Sequence, residues 1–177
     1  MISHDNITFT SRYLPSDIVN MKPFEERLVS YLPLSHIAAQ ICDVYLSLFI
    51  GSAIYFAQPD ALKGTLNQTL KEVKPTFFFG VPRIWEKMQE TIDKVVSGMP
   101  KPVQEQMGLL RKNVGDQVKL MFKSNQKGVS VGPILAKLPM LAKLHADLGL
   151  DQCRNFYSGA APISRETLEY FIGLGIP

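Results

Sequence analysis

Apolar positions recur along the chain in two rhythms. Short runs at residues 27–32, 53–56, 76–79 and 155–157 read as strands, and the third, Thr76-Phe77-Phe78-Phe79, is continuously apolar, as strands covered on both faces tend to be. Between them the period lengthens. Ser35 is a predicted N-cap for an apolar helix running toward Phe49, and Gly51 stops it. Asp60 is a predicted cap for a helix whose Leu62, Leu66, Leu70 and Val73 share one face, ended by Pro75. Pro82 opens a helix with Ile84, Trp85, Met88, Ile92, Val95 and Val96 as its buried stripe and Gly98 as its stop. Ser164 caps a last helix carrying Leu168, Phe171 and Ile172. Alternating elements predict an α/β fold, a mostly parallel sheet flanked by helices.

Residues 100–150 interrupt the alternation. Residues 103–122 and 133–148 are helix-like, with Pro139 inside the second stretch and a loop at 124–128 between them. The expectation is a helical insertion between two βα units. It is also the basic part of the chain: from Lys101 to His145 there are eight basic residues and two acidic ones, whereas the net charge of all 177 residues is only +3. Spaced as they are, these charges suit a solvated helical face, with anionic lipid as the alternative partner. Nucleic acid is not expected, because no recognised module or interleaved aromatic residues accompany them.

With 46% hydrophobic and 20% charged residues the composition is that of a folded domain. Cys42 and Cys153 stand apart in no metal-binding spacing, so reduced thiols of an intracellular protein are expected, with neither a disulfide framework nor a zinc site. The apolar stretch at 41–57 contains Asp43 and is broken by Gly51-Ser52, which argues against a membrane span. The first ten residues have no signal-peptide pattern, so Met1 is either a true start or an internal position of a longer protein.

Two stretches could carry chemistry. Gly159, Ala160, Ala161 and Pro162 follow the fourth strand; with almost no side chain there, a flat ring could rest against the peptide plane, although an ordinary tight turn has the same composition. "YLPLSH" ends the first strand at Pro33 and brings His36 to the expected same edge of the sheet, where imidazole could orient a substrate oxygen.

"MISHDNI", "YLPLSHIAAQ", "PTFFFGVPRIWEKM" and "NFYSGAAPIS" together resemble the adenylate-forming acyl-CoA synthetases, in that order and approximate spacing. The long helical insertion makes the likeness strongest to the long-chain, bubblegum-type fatty acyl-CoA synthetases. The resemblance implies that residues 1–177 are part of an AMP-binding domain. It implies a reaction in which a fatty-acid carboxylate attacks the α-phosphate of ATP with Mg²⁺, after which the thiol of coenzyme A displaces AMP. It further implies that His36 lies beside the acyl carboxylate, that Gly159, Ala160, Ala161 and Pro162 pack against adenine, and that Ile37, Ala38, Ile41 and Val81 wall the acyl tunnel. Core packing accounts for those apolar residues equally well, and Trp85 is expected in the core.

The family's Ser/Thr/Gly-rich phosphate loop, its Tyr-Gly-x-(Thr/Ser)-Glu motif with the Mg²⁺ glutamate, and its C-terminal domain are not found in these residues. The expectation is therefore a central slice of the large N-terminal domain of a cytoplasmic or membrane-associated enzyme, inactive alone and with exposed sheet edges. The alternative is a truncated, non-catalytic, peripheral membrane or lipid-binding module.

Overall fold

A computed structural model describes residues 2–15, 21–123 and 139–176. They fall into two compact units, Met1–Phe78 with His145–Asn155, and Phe79–Leu144 with Phe156–Pro177.

In the first unit, helix α1 (His4–Tyr13) is opened by a reciprocal cap, Ser3 hydroxyl to Asn6 N–H and Asn6 side chain to Ser3 N–H. Strand β1 (Arg27–Ser30) pairs in parallel with β2 (Ala53–Phe56), Arg27 opposite Ala53 and Ser30 opposite Phe56. Leu28 and Val29 are buried, while Tyr55 and Phe56 on β2 are exposed. The connection between the strands is one helical run in three parts: α2 (Ile37–Ala39), a π-helical segment (Gln40–Tyr45) and α3 (Leu46–Ile50). Gly51 ends it in the left-handed conformation, φ 69°, as expected of a glycine stop.

Helix α4 (Leu66–Val73) buries Leu66 and Leu70 and ends at Lys74, φ 50°, just before Pro75. Asp60 does not cap it. Asp60 precedes a 3₁₀ turn (Ala61–Lys63), and its carboxylate accepts from the Thr65 hydroxyl at 2.8 Å; Thr65 occupies the N-cap position. The apolar period overran the start because Leu62, which continues its spacing, lies in the 3₁₀ turn and is exposed.

Strands β3 (Phe77–Gly80) and β4 (Asn155–Ser158) form a second sheet. A single wide sheet is not what the strands make among the described residues. Thr76 is a backbone link between β1 and the lead-in to β4: it donates its N–H to Arg27 O (3.0 Å) and accepts from Arg154 N–H (2.8 Å).

Beneath that crossing lies a buried charge. The Glu26 carboxylate accepts from Lys22 N–H (2.8 Å), from Arg154 Nη2 (2.8 Å) and from the Thr76 hydroxyl, and that hydroxyl in turn accepts from Arg27 N–H (2.9 Å). Each donor to the Glu26 carboxylate therefore comes from a different position along the chain, residues 22, 76 and 154. Helix α7 (Pro139–Leu148) ends at Gly149, φ 72°.

In the second unit, α5 (Pro82–Ser97) has Pro82 at its first turn and buries Ile84, Trp85, Met88 and Ile92. Val95 is exposed and Val96 half-buried, so the stripe ends a turn earlier than the spacing predicts. Helix α6 (Lys101–Lys123) crosses α8 (Arg165–Gly173) closely: a Cβ on Gly173 would stand 2.9 Å from Arg111 O, and one on Gly115 would stand 3.7 Å from the Gly173 Cα. The crossing is fastened by the Arg111 guanidinium 3.9 Å over the Tyr170 ring and by a Lys119–Glu169 ion pair at 3.4 Å. Two basic residues of the insertion are thus engaged within the unit. The predicted helical stretch from residue 133 and the loop at 124–128 fall largely outside the described residues.

Candidate active site

The first candidate is set by the turn after β1. His36, exposed, occupies the N-cap position expected of Ser35, with φ −91° and ψ 131°. Its Nδ1 accepts from Ala38 N–H at 3.2 Å. An Nδ1 that accepts carries no proton, so the neutral imidazole holds its proton on Nε2 and offers it outward as a donor. The turn is further held by His36 N–H to Pro33 O (3.0 Å) and by the Gln40 side chain to Leu34 O (2.8 Å). Ile37, Ala38 and Ile41 follow directly and are half-buried.

Within the π-helical segment lies a residue that the motif reading passed over. Asp43 is buried, and its Oδ2 accepts from the Ser30 hydroxyl at 2.7 Å. Burial pushes its carboxyl up to about 6, with the Ser30 hydrogen bond pulling the other way. The neighbouring Cys42 thiol is pushed up to about 12 by burial and by the Asp43 charge. The sequence did carry a signal: Asp43 falls in phase with buried Ala39, Leu46 and Ile50 on an otherwise apolar face.

A stability profile follows from that shift. The native carboxyl binds its proton more tightly than the unfolded one, whose ordinary value is 3.8. Its contribution is then fully present below about pH 4 and is lost as pH rises through about 6. Relative to wild type, Asp43→Asn should therefore gain about 1–2 kcal/mol between pH 4 and pH 7, read as the difference between two urea-unfolding series. Parallel stability curves for the two proteins would show that this carboxyl does not titrate on folding.

The second candidate belongs to the second unit. After β4, Gly159 presses on an aromatic ring: a Cβ there would stand 2.9 Å from Phe79 Cε2. The left-handed residue of the turn is Ala160, φ 67°, a conformation that non-glycine residues adopt at a cost. Ala160, Ala161 and Pro162 are exposed. One side of the turn is thus packed and the other open. Ser164 then caps α8, its hydroxyl accepting from Thr167 N–H at 3.0 Å, as the spacing predicts.

Beside this turn, β4 and α8 line a half-open pocket of about 90 Å³ with Phe156, Ile163, Leu168, Phe171 and Trp85 among its walls. Trp85 is a core residue, as expected, 5.0 Å edge-on to Phe171 and donating through Nε1 to Gly80 O at 3.0 Å. Val81, half-buried, is the N-cap residue of α5 and belongs to this second unit, whereas His36, Ile37, Ala38 and Ile41 share the first.

Cys42 and Cys153 are free thiols, and among the described residues no group of three or more His, Cys, Asp or Glu could hold a metal ion. No helix among the described residues is long and apolar enough to cross a membrane.

Parallel strands joined by helices make an α/β fold, in which ligands bind outside the carboxyl ends of the strands. The chain belongs to the AMP-binding enzyme family, whose model matches residues 1–176. It is 45% identical over 179 residues to the long-chain-fatty-acid--CoA ligase ACSBG2 of Gallus gallus, covering 100% of this chain and 23% of that protein. The ACSBG2 ligase of Homo sapiens is 44% identical over 183 residues, 100% of this chain and 26% of that protein. The ACSBG1 ligase of Mus musculus is 43% identical over 99% of this chain and 24% of that protein. The chain therefore spans about a quarter of the length of these relatives.

Among solved structures, the A domain of carboxylic acid reductase from Segniliparus rugosus, in complex with AMP and a co-purified carboxylic acid, matches with a TM-score of 0.60 and 19% identity. That match covers 98% of this chain and 23% of the other. The adenylation domain of the carboxylate reductase from Mycobacterium chelonae gives a TM-score of 0.53 over 95% of this chain and 21% of the other, also at 19% identity. These two likenesses concern the fold.

Proposed function

We propose that this chain is part of a cytoplasmic long-chain fatty acid–CoA ligase, contributing a carboxylate-orienting histidine and an adenine-binding turn. The observation that carries the reading is identity of 42–45% along the whole chain to proteins named as such ligases. In the proposed reaction a carboxylate oxygen bonds to the α-phosphorus of ATP as pyrophosphate leaves. The sulfur of coenzyme A then bonds to the acyl carbon as AMP leaves, and the thiol proton passes to solvent.

His36 serves both steps as a neutral donor. Its Nδ1 is occupied by Ala38 N–H, so Nε2–H donates to a carboxylate oxygen, aligning it without taking away its negative charge. The same donor supports the carbonyl oxygen as negative charge gathers there during thiol addition. Ile37, Ala38 and Ile41 form the start of an apolar wall beside the carboxyl end of the acyl chain; Val81 is proposed as an acyl-lining residue of the second unit.

The turn at Gly159, Ala160, Ala161 and Pro162 fits an adenine ring. Its packed side rests on Phe79, its open side exposes residues without bulk, and the left-handed Ala160 turns the backbone through the site. Mg²⁺ accompanies ATP in such reactions, but the described residues offer it no cluster of ligands.

The test uses a protein of the relatives' length that contains this chain. With ATP, Mg²⁺, oleate and coenzyme A it should form oleoyl-CoA, and His36→Ala should lower kcat/KM by about 100-fold. Absence of thioester from the long protein would refute the ligase reading. Wild-type kcat/KM in His36→Ala would refute the role of His36. The 177 residues alone should form no thioester.

A further inference from the structure

The turn that presents His36 is closed at its base by a side-chain bond. Ser30 is the last residue of β1 and Asp43 lies in the π-helical segment; both are buried, and their 2.7 Å hydrogen bond spans 13 residues of chain. Enclosed between them are Pro33, His36 and the first turns of the helix. A π-helical segment widens the helix by one residue per turn and occurs often at functional sites. Here Leu46 N–H reaches back five residues to Ile41 O, and the widened turn is the one that carries Asp43.

We propose that Asp43 is a positioning residue for His36, holding the strand end and the helix at the separation that lets the imidazole cap the helix and present Nε2. The inference rests on the reading that His36 faces the reacting carboxyl.

Among the described residues, the elements packed against the π-helical segment make no ion pair with Asp43. Helix α1 carries His4, Asp5, Arg12 and Tyr13, β1 carries Arg27, α2 follows His36, α3 has no titratable group, and the segment itself adds Cys42 and Tyr45. Asp43 accepts its hydrogen bond from the Ser30 hydroxyl, and Cys42 lies close enough to feel its charge. Ser30 is also specific to the task. A hydroxyl at the end of a strand can donate to the carboxyl while its backbone stays in the ladder, where Ser30 O accepts from Ala57 N–H at 2.8 Å.

The test is made on the 177-residue chain by NMR, with Asp43→Ala, Ser30→Ala and Asp43→Asn. Asparagine keeps an oxygen acceptor for Ser30. Asp43→Ala and Ser30→Ala should move the His36 imidazole nitrogen resonances and speed hydrogen exchange at Ala38 N–H at least tenfold more than at Leu28, Val29 and Leu70 N–H. Asp43→Asn should stay within about twofold of wild type at Ala38.

Unchanged His36 signals and Ala38 exchange in Ser30→Ala would overturn the proposal. So would exchange that rises equally across the first unit, which is the signature of a merely structural bond. Should Asp43→Ala fail to fold, Ser30→Ala decides, since it removes the donor and leaves the backbone intact. Failure of the long protein to make acyl-CoA would sink the function above and leave this resonance test standing on its own.

Discussion

Glu26→Ala should destabilise the first unit by about 3–5 kcal/mol, one of the largest losses available to a single substitution in this chain. The side chain is fully shielded from solvent, and removing it strands three donors at once: the Arg154 guanidinium, the Thr76 hydroxyl and Lys22 N–H. A hydroxyl or N–H left buried without an acceptor costs about 1–3 kcal/mol. Arg154 is partly exposed and recovers water, so its share is the smallest.

Glu26→Gln keeps one oxygen but turns an NH₂ toward donors, and about 1–3 kcal/mol should be lost. Thr76→Val should fall in the same range, since it breaks the relay from Arg27 N–H to the carboxylate. Urea unfolding followed by far-ultraviolet circular dichroism measures all three. Midpoints within about 0.5 kcal/mol of wild type for Glu26→Ala would show that backbone pairing through Thr76 alone joins the segments.

Gly149→Ala should cost more than about 3 kcal/mol. Two effects coincide there. The backbone has φ 72°, where a side chain costs about 1–2 kcal/mol, and the added Cβ would lie inside van der Waals distance of the carbonyl carbon of Leu70 and the nitrogen of Lys71. Those are backbone atoms of α4, so no rotamer change relieves the clash; the helix ends must separate, opening the core around Leu70, Leu148 and Leu150.

Gly108→Ala is the matching control. Its Cβ meets nothing within 4 Å and lies inside α6, so about 0.5–1 kcal/mol should be gained. Thermal melts of the two variants should move in opposite directions. A Gly149→Ala protein as stable as wild type would mean that α4 and α7 are not held at this separation in solution.

Local chemistry alone was sufficient for the strand and helix alternation. A strand of Phe77-Phe78-Phe79, a proline at the start of α5, a glycine after α3 and a serine before α8 each act within a few residues, so their consequences could be read without knowing what packs on them. His36 and the small-residue turn were legible for the same reason, since motif and neighbours are contiguous. Failures came where a longer-range partner competes. Val95 leaves the stripe because its side chain stays exposed at the end of α5, and Asp60 yields the cap because its carboxylate is taken by Thr65.

What the amino-acid order determined by itself was therefore the element types, the family and the positions of His36 and the turn at 159–162. Only the tertiary structure decided which polar groups hold them. Glu26 meets Thr76 and Arg154 across 50 and 128 residues of chain, and Asp43 meets Ser30 across 13. The physical reason is that a buried carboxylate must find donors wherever the backbone brings them, and strand pairing between distant segments sets those meetings. The same holds for Gly159, whose need for a bare Cα comes from the Phe79 ring and not from its own backbone angle.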